Sequence, residues 1–140
     1  MGRLLAQIIT MVISPLGLIH VYWAFGSRNS YAAAIPEIDG RRAFSPSRLA
    51  TFAVAVALFI AATLVAISGR LLDDPFPPSF VRVPTIMLGL LLLARAIGDF
   101  RLVGFFKQKS TSRFARLDTR LYSPLCLGLG CGVLFVVFHA

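Results

Sequence analysis

Four apolar runs, at about residues 4–25, 49–68, 83–106 and 121–138, take up most of the chain. Each is close to the ~20 residues an α-helix needs to cross a hydrocarbon core ~30 Å thick. Hydrophobic residues make up 57% of the 140, and mean hydropathy is +0.80. A water-soluble domain of this size would expose too much of that surface. The fold class that follows is all-α: an integral membrane bundle of four transmembrane helices, forming one domain over residues 1–140.

The connections carry the residues that end helices. Gly26, Pro36, Gly40 and Pro46 punctuate the first, Asp73-Asp74-Pro75 and Pro77-Pro78 the second, and residues 107–120 form a short polar third. The third run is the least uniform, because Arg95, Asp99 and Arg101 interrupt it, and the fourth is short. Arg3 ahead of an apolar run resembles the opening of a secretory signal. That run is too long, however, and ends in the aromatics Tyr22, Trp23 and Phe25 instead of a small-residue cleavage site. A retained helix with an interfacial aromatic belt is the better reading.

Fourteen Lys and Arg against six Asp and Glu give a net charge of +8. The basic residues lie between the apolar runs, where they speak for orientation and lipid headgroup contact and not for nucleic acid. Arg28, Arg41, Arg42 and Arg48, with Arg101, Lys107, Lys109, Arg113, Arg116 and Arg120, fall on one side; Arg3, Arg70 and Arg82 fall on the other. The positive-inside rule places both termini outside the cytoplasm, although Arg3 pulls the other way.

Small residues allow helices to approach in lipid. Gly128 and Gly132 form a G-x-x-x-G pair in the fourth run, and Ala53, Ala57 and Ala61 form a stripe in the second. Both stripes are expected to be buried between helices. Pro15 is expected to kink the first helix near Ile13. Cys126 and Cys131 point in different directions on a helix, which argues against a disulfide, and they lack the C-x-x-C spacing of thiol–disulfide enzymes.

Ionisable groups inside a membrane require an account. Arg95 and Asp99, four apart, share a helix face and are expected to pair. With a third helix ending at Phe106, Asp99 would lie about 10 Å and Arg95 about 16 Å inside that end. His20, Trp23 and Tyr122 fall in the same half, and Glu37 of the first loop can fold against them. This cluster has two readings. One is a cytoplasm-facing pocket, with Asp99 or His20 moving protons or binding a ligand and Arg95 fixing an anion. The other is an ion-pair network that locks the helices together. No metal-ligand spacing, no nucleophile beside a base and no phosphate-binding glycine loop occurs, and no cofactor is indicated.

Three motifs carry a resemblance. They are His20-Val21-Tyr22-Trp23-Ala24-Phe25-Gly26, then Arg95-Ala96-Ile97-Gly98-Asp99-Phe100-Arg101 with Val103-Gly104-Phe105-Phe106-Lys107, and the stretch from Phe114-Ala115-Arg116-Leu117-Asp118 to Cys126. They resemble the DUF3995 family of small bacterial membrane proteins. The resemblance implies a four-helix protein of the bacterial cytoplasmic membrane and no particular activity. Within these motifs a network of Asp99, Arg101, Asp118 and Arg120 is expected, with Asp118 as an alternative cap for the fourth helix. Two functions compete. The first is a binding or accessory protein, working with a protein partner or as a homo-oligomer. The second is an enzyme or carrier for a small lipophilic or anionic molecule.

Overall fold

The computed structural model describes residues 1–26, 35, 37–38, 41–42, 45–74, 76–98, 104–106 and 113–140. Helix α1 spans Gly2–Phe25 and passes through Pro15 without a break, α2 spans Arg48–Ser68, and α3 spans Pro78–Ile97. A last continuous helix comprises α4 (Arg113–Leu117), a π-helical turn (Asp118–Tyr122) and α5 (Ser123–His139). Two two-residue strands, β1 (Glu37–Ile38) and β2 (Arg41–Arg42), pair antiparallel in the first connection. Among the described residues the remaining elements are all helical, and four helices are long and apolar enough to cross a membrane, the last counted over Phe114–His139.

Local chemistry sets the ends. The Ser47 Oγ caps α2 by accepting the Ala50 N–H at 3.1 Å, which satisfies one of the first-turn donors. Pro78 opens α3, where its missing N–H costs nothing. At the end of α2 the Leu71 N–H reaches Ala66 O at 2.8 Å and the Arg70 N–H reaches Ile67 O at 2.9 Å. This is a Schellman motif, and its left-handed position is held by Arg70 at φ 55°.

Two helix boundaries differ from expectation. The third helix stops at Ile97, not Phe106: Gly98 takes φ 92°, and the chain turns back so that the Phe105 N–H bonds Ala96 O at 3.0 Å. Arg95 therefore sits in the last turn of α3, and its expected depth of about 16 Å is withdrawn. The fourth helix is the longest span at 26 residues, not a short one, because residues 114–120 are helical and not loop. Asp118 consequently lies inside that helix and is not its cap. Pro124 explains the π turn. It lacks an N–H, and its ring would strike the carbonyl one α-turn back, so the widened turn before it relieves both.

The helices run up and down. Gly2 lies against Ala140, Gly17 against the Phe59 ring, and Gly89 against Leu134 and Gly130. Around the bundle the order is α1, α2, α3, α5, with α5 closing onto α1. Ala6, Ile9 and Ile13 of α1, Ala62 and Val65 of α2, and Leu129, Val133 and Val136 of α5 form the core. Only 22–33% of the most apolar window of each span is buried, so most of its apolar surface faces outward, as a lipid-facing bundle requires.

The packing stripes lie elsewhere than expected. Ala53 and Ala57 are exposed; the inward face of α2 carries Thr51, Ala55, Ala62, Val65 and Ala66, joined by Ala61. Gly128 is also exposed, and a methyl added there would meet nothing within 4 Å. Gly132 is buried, against Ile9 of α1 and not against α2. Gly130, absent from the expected stripe, meets Leu93 and Gly89 of α3. Gly130 and Gly132 are two positions apart, about 200° around the helix, so each serves a different neighbour.

Candidate functional site

Because the helices alternate in direction, the C-terminal ends of α1 and α3 share one end of the bundle with the N-terminal ends of α2 and of the last helix. His20, Trp23, Arg95, Asp118 and Tyr122 stand at that end.

Its centre is Asp118. The side chain has no exposed surface. Its Oδ1 accepts from Arg95 Nη2 at 2.7 Å, and its Oδ2 accepts from the Gly104 backbone N–H at 2.7 Å. A buried carboxylate is costly unless charged and hydrogen-bonding partners surround it, and these two supply both. One side chain thus ties the last turn of α3, the segment that follows it, and the last helix.

Gly104 makes the geometry possible. It takes φ 88°, and an added methyl there would collide with the Ile97 carbonyl and with Gly98. Only glycine allows the backbone to lie this close to the end of α3 while aiming its N–H at Asp118. Sequence reasoning passed over Gly104 as a site residue, although it stands in a quoted motif.

Arg95 thus pairs across helices with Asp118; the expected bond along one helix to Asp99 falls on a residue outside the described ones. Asp99 and Arg101, and the side chain of Glu37, lie outside the described residues; of the expected network of Asp99, Arg101, Asp118 and Arg120, Asp118 is held by Arg95, which that network did not include. Arg120 is exposed on the π turn. Tyr122 packs its ring 6.0 Å from that of Phe114.

His20 is separate from this cluster. Its Nδ1 donates to Leu16 O at 2.8 Å, and its ring meets Trp23 edge-on at 4.9 Å. Helices α1 and α3 stand across the bundle from each other, which keeps His20 away from Arg95. The expected gathering of His20 and Arg95 at one end therefore yields two local arrangements, not one constellation. Two polar atoms at this end, Arg95 Nη1 and Ser123 Oγ, are buried without a hydrogen-bond partner among the described residues. Among the described residues no three His, Cys, Asp or Glu side chains come together as a metal site.

Residues 13–133 match the family described as a protein of unknown function (DUF3995). No curated protein and no solved structure matches the chain.

Proposed function

We infer that this chain, which belongs to the DUF3995 family, works as a binding or accessory component of a membrane complex and performs no chemistry of its own. One observation carries the reading. Asp118, the most deeply buried ionisable group described, is occupied by Arg95 and by the Gly104 N–H, inside the bundle. A carboxylate committed to an internal tie is poorly placed for proton transfer or substrate capture. His20 spends one ring nitrogen on its own helix and packs on Trp23, which also suits a structural post. The same reading puts the protein in the bacterial cytoplasmic membrane, both termini outside the cytoplasm, with either a protein partner or further copies of itself.

Extraction in a mild detergent followed by native mass spectrometry tests this. A stoichiometric partner subunit or a homo-oligomer is expected. A monomer, recovered intact and alone at native expression level, would remove the accessory reading.

Arg95 Nη1 and Ser123 Oγ, buried with no partner among the described residues, favour one alternative, a carrier or enzyme that admits a small anion at this end. Under that alternative Ser123→Ala abolishes an anion-dependent thermal stabilisation of the purified protein. Under the accessory reading no such stabilisation exists.

A further inference from the structure

The opposite end of the bundle holds a site that the polar cluster does not explain. A lateral groove of about 440 Å³ lies there between α2 and the start of α3. Phe59, Ile60, Leu64 and Ile67 of α2 line one wall, and Phe76 and Phe80 line the other. Thr63 also lines it, but its hydroxyl is bonded to Phe59 O at 3.0 Å, so the groove gains no free donor. The wall along α2 runs from Val56 to Ile67. That is about 16 Å of helix, and one leaflet is about 15 Å deep.

At its outer end the groove joins a second recess of about 240 Å³, with Ile67 and Val81 common to both. This recess has a mixed lining, with polar and charged groups set among Ile67, Pro78, Val81, Val137 and Ala140. Ser68, Arg70, Asp74 and Arg82 line it, and it lies where α2 ends and α3 begins. No ion pair among the described residues joins Arg70, Arg82 and Asp74, so charges of both signs are held near one another without cancelling. Each is fixed in its own way. The Arg82 guanidinium lies 5.6 Å from the Phe138 ring centroid. Asp74 accepts the Phe76 N–H at 3.0 Å. Arg70 occupies the left-handed turn position where glycine is least strained, so the turn itself gains nothing from the guanidinium.

We propose that this composite groove binds one glycerophospholipid of the bilayer, with an acyl chain between α2 and α3, its phosphate on Arg70 and Arg82, and a headgroup amine on Asp74. An apolar slot one leaflet deep with a mouth of mixed charge matches a zwitterionic, amine-bearing lipid such as phosphatidylethanolamine. An anionic lipid would have to face Asp74 unpaired. The proposal does not depend on the accessory role.

The test is native mass spectrometry of the detergent-purified full chain, titrated with phosphatidylethanolamine or phosphatidylglycerol. The wild type is expected to retain phosphatidylethanolamine in preference to phosphatidylglycerol. The double variant Arg70→Gly, Arg82→Gln should weaken that binding about ten-fold, two guanidinium contacts having been removed. Glycine relaxes the turn at residue 70, so a failure to fold is not the expected cause of the loss, and an unchanged melting temperature verifies this. Thr63→Trp, which fills the slot from a lipid-facing position, should abolish retention of either lipid. Asp74→Asn should turn the preference toward phosphatidylglycerol. Equal retention of both lipids by the wild type would overturn the proposal. So would retention unaffected by the arginine pair or by Thr63→Trp, or a protein segment found in the groove instead of lipid.

Discussion

At the scale of single residues the polar end depends on who partners Arg95. A pairing four residues apart on one helix was the economical reading, but it required α3 to continue past Asp99. Gly98 ends it, and a glycine in a membrane run does not announce whether it serves packing or termination. The partner seen among the described residues, Asp118, is twenty-three residues away, a distance no local pattern reports. Asp118→Asn keeps the shape but removes the charge that Arg95 faces. The expected cost is about 2–3 kcal/mol, below the ~3–5 kcal/mol of a fully enclosed pair because the Arg95 side chain is 32% exposed. Thermal unfolding in detergent, followed by size-exclusion recovery, measures it. Arg95→Gln should cost a similar amount, and the double variant should cost less than the two added together. Strict additivity would show that the two residues do not act through each other.

At the scale of elements, hydropathy marks out four spans because length and apolarity alone define them, and the described residues hold four such helices. It does not mark their rotation. In water the polar face of a helix tells which face is buried, whereas in lipid both faces are apolar and the phase is lost. Alanine recurs so often in α2 that spacing alone does not separate the expected stripe of Ala53, Ala57 and Ala61 from the neighbouring one through Ala55, Ala62 and Ala66. The G-x-x-x-G pair misled in the same way. Gly128 faces outward, while a methyl on Gly132 would stand 2.8 Å from Ile9 Cδ1. Gly132→Leu is therefore expected to force α1 and α5 apart and eliminate the monodisperse peak on detergent size exclusion. Gly128→Leu, with open space around it, should change stability by no more than about 0.5 kcal/mol. If both variants behave alike, the packing of α5 between α1 and α3 is wrong. The start of the last helix escaped notice for a different reason. Residues 113–120 look like a loop by composition, and the burial of Phe114, Ala115 and Asp118 anchors them as helix.

At the scale of the whole molecule, the alternating helices put the two termini together, since Gly2 abuts Ala140. Any assignment of one terminus therefore assigns the other. The end that holds Arg95 and Asp118 is also the end toward which Arg48, Arg116 and Arg120 project, while Arg3, Arg70 and Arg82 belong to the opposite end. Counted over the chain, ten Lys and Arg flank the first end and three flank the second, with Arg95 set aside as part of the ion pair. A bias of this size usually orients a bundle with short loops, the basic side staying in the cytoplasm. The proposed lipid groove would then open to the outer leaflet, and the Asp118 tie would lie at the cytoplasmic face. Reporter fusions at Ala140 decide the point. Alkaline phosphatase should be active there, and a cytoplasm-dependent fluorescent protein should be dark. The opposite pair of results would invert the molecule, move the groove to the inner leaflet, and mean that Arg3 outweighs the loops. Replacing Arg3 with Gln separates these causes: if Arg3 is dominant, its loss restores the orientation proposed here, and if the loops dominate, its loss leaves the reporter signals unchanged.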